Sequence, residues 1–195
     1  MKRLTLGALA LALPIAVTAA PETYTIDPIH SFPHFAVDHL GVTTIWGRFD
    51  KMGGKFTIDR AAKKGALELA IETASVSTGD SDKGARPRSR DDHLRSADFF
   101  NVAEFPRMTF KASDVKFSGD NPTEVSGALT LLGVTKPLTL KIERWVCKDN
   151  PYSKKPMCGG EASAVLKRTD FGMKYGVPAV GDEIRVVVGF EGYRD

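Results

Sequence analysis

Cysteine is scarce in this sequence, which has only Cys147 and Cys158. The two flank a ten-residue segment, KDNPYSKKPM, whose proline, lysine and asparagine content is typical of a turn. A redox pair and a zinc site are the alternatives, but there is no C-x-x-C motif and no histidine nearby. In an oxidising compartment such a pair most simply forms a disulfide bond, which we predict.

An excess of charge of one sign is also lacking. The chain has 27 basic and 24 acidic side chains. Two of the basic ones, Lys2 and Arg3, precede an N-terminal apolar run, so the rest of the chain has 25 basic and 24 acidic side chains. Proteins that bind nucleic acid carry a marked positive excess. We therefore expect no nucleic-acid partner.

Long apolar runs are missing apart from residues 4–17, which number 14 and are too few for a transmembrane helix of about 20. Small residues follow at Ala19 and Ala20, as at a signal-peptidase site. Cleavage after Ala20 would leave Pro21 at the new terminus, so residues 1–19 are the predicted signal peptide. No cysteine follows for a lipid anchor. We expect residues 20–195 to form a single domain, periplasmic or secreted, without an integral membrane segment.

Enzyme signatures are missing as well: there is no G-x-S-x-G, H-E-x-x-H, P-loop, Rossmann glycine pattern or EF-hand loop. The histidines His30, His34 and His39 come closest to a metal site. On an extended strand, positions 30 and 34 share a face and position 39 points to the other. Only a bend at Pro33 would let the three converge, so we predict no metal and no cofactor.

Alternation of apolar and polar residues is what the sequence does contain. In EIRVVVGFE, Ile184, Val186 and Val188 are apolar while Glu183 and Arg185 fall on the other face. The segments with strand-like patterns are residues 23–29, 34–39, 43–49, 55–59, 66–72, 108–117, 125–131, 138–143, 162–168 and 183–191. Strands with one apolar face must turn that face inward, and closure removes exposed edges. The pattern predicts an all-β fold, an antiparallel barrel of about eight strands, with a two-sheet sandwich as the alternative.

One strand changes parity along its length. Met108, Phe110 and Ala112 share one face, whereas Val115 and Phe117 fall on the other. A single extra residue produces such a change, so we predict a β-bulge or sharp bend in this strand.

The segment RDDHLRSADFF, residues 90–100, departs from the strand pattern. Ser89 suits a helix N-cap, and Asp91 and Asp92 suit the first turn of a helix. At helical spacing one face carries His93, Leu94, Ala97 and Phe100. We predict a short helix that covers one end of the barrel. The competing interpretation is an acid–base site in which His93 is a general base.

The residues just before this helix are basic: Lys83, Arg86, Arg88 and Arg90. They form either a solvated loop or a cationic rim for an anionic head group. We take Arg86, Arg88, Arg90 and His93 as the candidate head-group contacts.

Large apolar side chains with inward parity are too many for an aqueous pore. They are Phe35, Val37, Ile45, Phe49, Phe56, Leu69, Ile71, Phe100, Phe110, Leu129, Leu131, Leu140, Ile142, Val186, Val188 and Phe190. Parity alone does not separate a filled core from a sheath around a lipid tail, because both need apolar residues inside.

Several longer segments carry a resemblance: YTIDPIHSFPHFAVDHLG, WGRFDKMGGKFTID, RDDHLRSADFFNVAEFPRMTF, VSGALTLLGVTKPLTL, KRTDFGM and GDEIRVVVGFEG. In order and spacing they resemble the YceI-like family of periplasmic proteins. The resemblance implies a lipocalin-like barrel whose lumen binds a polyisoprenoid or similar amphiphile, such as an isoprenoid quinone, a prenyl phosphate or a fatty-acid derivative. It implies a non-catalytic role in transport, storage or sensing. The alternative is a lipid hydrolase or isomerase that uses His93; whether the chain forms a homodimer is open.

Overall fold

Eleven strands, one short helix and two 3-10 turns make up the structure, a computed structural model that describes residues 20–195. The strands are β1 (Glu22–Ile26), β2 (Phe32–His39), β3 (Thr43–Phe49), β4 (Met52–Asp59), β5 (Lys64–Glu72), β6 (Val76–Ser77), β7 (Arg107–Ser118), β8 (Asn121–Leu131), β9 (Val134–Asp149), β10 (Pro156–Lys167) and β11 (Val180–Arg194). The helix is α1 (Arg90–Arg95), and the 3-10 turns are Thr73–Ser75 and Arg168–Phe171. The predicted signal peptide, residues 1–19, lies outside the described residues. No helix in residues 20–195 is long and apolar enough to cross a membrane.

All strand pairings are antiparallel and the sheet closes on itself. The order β1-β4-β5-β7-β8-β9-β10-β11 returns to β1 through a β1–β11 pairing. β11 pairs with β2 along its first part and with β1 at its end, so β1 and β2 act as one interrupted strand. β3 continues into β4, and β5 into β6, in the same way. Eight strand positions therefore surround one interior, which confirms the predicted barrel and excludes the sandwich.

The interruption between β1 and β2 corrects the predicted strand over residues 23–29. Asp27 accepts a hydrogen bond from the backbone N–H of Ile29 at 2.9 Å, and its other oxygen lies 2.7 Å from Nδ1 of His30. Ser31, which is buried, exchanges hydrogen bonds with the backbone of Glu191 on β11. This side-chain turn ends the ladder at Ile26, because local Asp bonding competes with strand pairing.

Two further predictions are confirmed. The register between β7 and β8 shifts between Ala112 and Asp114, which is the bulge that the change of parity indicates. Cys147 on β9 and Cys158 on β10 lie directly opposite each other and form a disulfide bond.

The two ends of the barrel differ. One end, called here the helix end, is formed by the connections at residues 40–42, 78–106, 132–133 and 168–179, and it carries α1. The other, called the far end, carries the short connections at residues 60–63, 119–120 and 150–155. Aromatic rings fill the far end: Phe56 stacks on Tyr24 at 4.9 Å between centroids and contacts Trp145 and Phe190 edge-on at 5.6 and 6.1 Å. We call these four residues the aromatic plug.

The helix is shorter than predicted. Ser89 caps it by accepting from the N–H of Asp92 at 3.1 Å, as expected. It ends at Arg95 because both the N–H and the hydroxyl of Ser96 turn back to the carbonyl of His93. The predicted helical face is therefore cut, and Ala97 is exposed instead of lying on it.

Asp91 lies in the first turn of the helix, as predicted, and has a second role that the sequence did not indicate. It is buried and accepts hydrogen bonds from the N–H and the hydroxyl of Thr78, at 2.8 and 2.6 Å. Since Thr78 directly follows β6, this carboxylate fastens α1 to the barrel wall.

Candidate ligand-binding cavity

A cavity of about 570 Å³ occupies the barrel interior and reaches the surface at the helix end. Aliphatic and aromatic side chains from the strands form its walls. Leu94, Phe99 and Phe100, from α1 and the turns after it, cover part of the helix end. Phe100 packs edge-on against Phe49 of β3, with centroids 5.1 Å apart. The helix therefore lies over the entrance of a chamber and not over a filled core.

Most of the predicted lumen residues line this cavity. Those in its wall are Phe35, Val37, Ile45, Phe49, Leu69, Ile71, Phe100, Phe110, Leu129, Leu131, Leu140, Val186 and Val188. Phe56, Ile142 and Phe190 lie elsewhere, around a separate pocket of about 50 Å³ beside the aromatic plug. Leu69, Leu140 and Val188 border both spaces and so mark the floor of the main cavity.

The wall also includes residues that were not among the predicted lumen residues: Met52, Leu94, Phe99, Met108, Leu138, Leu166, Met173 and Tyr175. Met52 lies before the predicted strand at residues 55–59, because β4 begins three residues earlier than its alternation indicates. Met108 has the same parity as Phe110, so its place in the wall agrees with the alternation. Tyr175 lies outside the strands, so strand parity carried no signal for it.

The mouth of the cavity is cationic. Arg86, Arg88, Arg90 and Arg168 line it together with one carboxylate, Asp80. The predicted head-group contacts Arg86, Arg88 and Arg90 are thus brought together at one opening, as is His93.

Three of the four arginines at the mouth pair with two carboxylates. Arg86 grips Asp80 through both terminal nitrogens, at 2.7 and 2.6 Å, and Arg90 reaches the same carboxylate at 3.2 Å. Arg88 pairs with Asp98 at 2.9 Å. The hydrogen bonds from Arg86 hold the pKa of Asp80 well below its ordinary value, so this carboxylate is ionised near neutral pH. These ion pairs therefore hold the basic segment in place as one side of the mouth, although most of the segment is exposed.

His93 lies in an aromatic cluster beside the ion pair of Arg88 and Asp98. Its Nε2 is 2.9 Å from Oδ2 of Asp98, and its ring makes edge contacts with Phe99 and Tyr175, each at 4.9 Å between centroids. Hydrogen bonds from Arg88 and then His93 lower the pKa of Asp98. The cluster joins α1 to the β10–β11 connection, and so ties together two sides of the mouth.

Arg168 is the functional-site residue that sequence reasoning missed. Its side chain is buried and donates to the carbonyls of Val180, Tyr175 and Gly181, each at 2.8 Å, and of Met173 at 3.3 Å. The alternation over residues 162–168 places it at the last position of a predicted strand. The KRTDFGM motif is the sequence signal that points to Arg168, because a motif at the end of a strand often marks a structured loop.

The four histidines do not converge. His34 and His39 line the cavity, and His93 lies at the mouth. His30 stands apart, next to Asp27, with Glu191 at 4.0 Å. Within residues 20–195, Asp27, His30 and Glu191 are the one group whose potential metal-ligating atoms lie within 4.8 Å of one another. The Asp27–His30 hydrogen bond already accounts for that arrangement.

Fold and cavity together define a class: a small closed antiparallel β-barrel that encloses an apolar chamber with a cationic mouth. A family model described as the YceI-like domain matches residues 24–191. The chain is 38% identical over 199 residues to the UPF0312 protein PA0423 of Pseudomonas aeruginosa, with 100% of both chains covered. The chain belongs to the YceI-like family, as its motifs indicated.

Solved structures share the barrel. Burkholderia cenocepacia BcnA superposes with a TM-score of 0.70 at 22% identity, over 85% of this chain and 98% of that one. A polyisoprenoid binding domain from Saccharophagus degradans superposes with a TM-score of 0.62 at 19% identity, over 88% of this chain and 98% of that one. At these identities the likeness establishes the fold.

Proposed function

We propose that this chain binds one long-chain amphiphile of the polyisoprenoid class without altering it chemically. The tail lies in the barrel cavity, and the polar head lies at the mouth near Arg86, Arg88, Arg90 and His93. The observation that carries the proposal is the enclosed apolar cavity of about 570 Å³ that opens among arginines. The Saccharophagus degradans relative described as polyisoprenoid binding supports it.

The size of the cavity suits a tail of several isoprene units. If a carbon takes roughly the 30 Å³ that a water molecule takes in the liquid, the cavity holds about twenty carbons. At about 0.8 kcal/mol for each buried methylene, such a tail gains on the order of 16 kcal/mol before ordering costs. This is ample for tight binding through the tail alone.

The charges at the mouth determine which head group is favoured. Arg86, Arg88 and Arg90 line the mouth, whereas the guanidinium of Arg168 is buried and bonded to backbone carbonyls, so a phosphate or carboxylate head is favoured over a neutral alcohol. The arginines are already paired with Asp80 and Asp98, so an anionic head would replace or share those carboxylates. The expected preference is therefore moderate, about tenfold, and not the full strength of an unpaired cation site.

The proposed location is the periplasm, after removal of residues 1–19. The disulfide bond between Cys147 and Cys158 fits an oxidising compartment. Transport, storage and sensing all use the same binding step, and the proposal covers that step.

Mass spectrometry of an organic extract from natively purified protein tests the tail. We expect an isoprenoid or similar long-chain lipid at close to one per chain; an empty cavity that also takes up neither a quinone nor a prenyl phosphate refutes the proposal. The head is tested with a prenyl phosphate and the matching alcohol. Arg86→Gln combined with Arg88→Gln should weaken binding of the phosphate and leave binding of the alcohol unchanged.

A lipid hydrolase or isomerase is the second candidate, because Nε2 of His93 lies 2.9 Å from Asp98 at the mouth. Turnover of prenyl esters or phosphates that disappears in His93→Ala and survives in Arg90→Ala would favour it. Binding without turnover in the wild-type protein favours the carrier.

A further inference from the structure

We propose that the helix end of the barrel docks on the surface of an anionic phospholipid bilayer, with the cavity mouth facing the membrane. This inference rests on the proposed function, since a mouth needs such a surface only if a lipid tail enters through it. The tail would then pass from bilayer to cavity without crossing bulk water.

Exposed apolar side chains lie at one side of the mouth. Leu40 and Val42, at the tip of the β2–β3 hairpin, are 60% and 83% exposed, and Tyr175 and Val177, in the β10–β11 connection, are 49% and 38% exposed. The two loops are joined, because the N–H of Leu40 donates to the carbonyl of Ala179 at 2.8 Å. Together they form one apolar projection, called here the apolar rim.

The apolar rim belongs to the mouth itself. Tyr175 lines the cavity, as do His39 and Val180, which neighbour the rim residues in sequence. A surface that contacts the rim would therefore also contact the cavity entrance.

Folding does not explain the residue at the hairpin tip. Leu40 has a positive φ of 60°, a conformation that Asn or Gly adopts at least cost. An Asn-Gly turn would suit this tight connection better than Leu-Gly. A leucine that is mostly exposed in an unfavourable conformation contributes little to the barrel, so its apolar side chain points to a contact outside the molecule.

The charge of the same end complements an anionic surface. Arg86, Arg88 and Arg90 line the mouth and pair with two carboxylates, Asp80 and Asp98, which leaves an excess of one positive charge among these five side chains. Lys83 and Lys174, both exposed, lie beside them, Lys174 next to Tyr175 of the rim. Apolar side chains flanked by Lys and Arg are the composition of surfaces that insert shallowly into anionic bilayers.

The ligand supplies the reason for docking. Each methylene that must enter water disfavours the aqueous intermediate about fourfold. A tail long enough to fill the cavity has many methylenes, so exchange through water would be very slow. Contact between mouth and bilayer removes this barrier.

Co-sedimentation of the full mature chain with vesicles tests the proposal. The vesicles are an equimolar mixture of phosphatidylcholine and phosphatidylglycerol, compared with phosphatidylcholine alone. We expect Leu40→Asn combined with Val42→Ser to lower the vesicle partition coefficient about 30-fold, since two partly inserted apolar side chains are lost. Tyr152→Ser combined with Val146→Ser, which removes exposed apolar side chains away from the mouth, should leave the coefficient unchanged.

The charge contribution is tested with Lys83→Glu combined with Lys174→Glu. This variant should lose most of the preference for phosphatidylglycerol, and keep the weak binding to phosphatidylcholine. An unchanged preference would overturn the anionic part of the proposal. Circular dichroism on each variant checks that the barrel has folded.

Binding of farnesyl phosphate without vesicles separates this inference from the proposed function. The Leu40/Val42 variant should bind it with wild-type affinity but extract it from vesicles at least tenfold more slowly. Docking is overturned if the wild-type chain binds farnesyl phosphate yet ignores anionic vesicles, if the two apolar double variants weaken vesicle binding equally, or if extraction requires a second protein. Failure to bind farnesyl phosphate or any other amphiphile would refute the proposed function instead.

Discussion

Substitution of Phe110 tests directly whether the cavity wall determines the preferred length of the ligand's tail. It lies on β7 between Leu69 of β5 and Leu129 of β8, and all three side chains line the cavity. Phe110→Ala removes a six-carbon ring from the wall. The space that it leaves accommodates about one isoprene unit, five carbons, and burying these would gain up to about 4 kcal/mol.

The measured gain should be smaller, because the longer tail must be ordered and the enlarged cavity is not shaped to it. If half of it is realised, about 2 kcal/mol remains, which is a change of about 30-fold in relative affinity. The assay is competition between two prenyl phosphates, one that fills the cavity and one longer by a single isoprene unit. We expect Phe110→Ala to shift the ratio of their dissociation constants about 30-fold toward the longer tail.

Phe171→Ala is the matched control. Phe110 and Phe171 are each 3% exposed, but Phe171 does not line the cavity. Both substitutions should destabilise the fold by about 3 kcal/mol, and only Phe110→Ala should alter the preference for tail length. If the ratio of dissociation constants is unchanged in folded Phe110→Ala, or changes equally in Phe171→Ala, the tail does not lie against this wall.

Three further predictions concern the frame around the cavity. Arg168→Met leaves four backbone carbonyls without the donor that the guanidinium supplies and should lower the free energy of unfolding in urea by about 3 kcal/mol, with Arg168→Lys recovering part; a loss below about 1 kcal/mol in Arg168→Met would contradict this role. Replacing both Cys147 and Cys158 by Ser opens a loop of sequence separation 11 and should cost about 3 kcal/mol; dithiothreitol should destabilise the wild type by a similar amount and leave the double variant unaffected. The hydrogen bond to Asp27 raises the pKa of His30 above its ordinary value of 6.5, so this contact stabilises the fold below pH 6.5 and the contribution is lost as the pH rises through the folded-state pKa. An NMR titration should show the His30 pKa falling back toward 6.5 in Asp27→Asn, and equal values in the two proteins would refute the assignment.

Local pattern was enough to predict the strands, and it favoured a barrel without excluding a two-sheet sandwich. Alternation in segments such as that around Val186 reports which face of a strand is buried, and this depends only on neighbouring residues. The change of parity after Ala112 revealed the bulge for the same reason. Ser89 indicated the start of the helix, because an N-cap forms its hydrogen bond with a residue nearby in the sequence. The end of the helix was not predicted. Residues 96–100 could continue a helix, but the hydroxyl of Ser96 bonds to the carbonyl of His93 and ends it.

The cavity was predicted only in part. Phe56 and Phe110 have the same inward parity, yet Phe56 belongs to the aromatic plug and Phe110 to the cavity wall. Their difference is depth along the barrel axis, which follows from the tilt and stagger of the closed sheet. No single strand carries that information.

Which residues meet at the mouth could be predicted from the sequence even less, because it depends on the tertiary structure. Arg168 looked like the last residue of a strand, and its partners at Tyr175, Val180 and Gly181 lie in a loop whose path the alternation does not describe. Asp91 looked like a helix-dipole charge and became a buried link to Thr78. The sequence by itself determined that each strand turns one apolar face inward, because that is a property of each strand. Closure into a barrel and not a sandwich was decided by the pairing of β1 with β11. Whether the interior is filled or hollow, and which charges meet at its opening, was decided by the tertiary structure, because both depend on distances between strands and loops that are far apart in the chain.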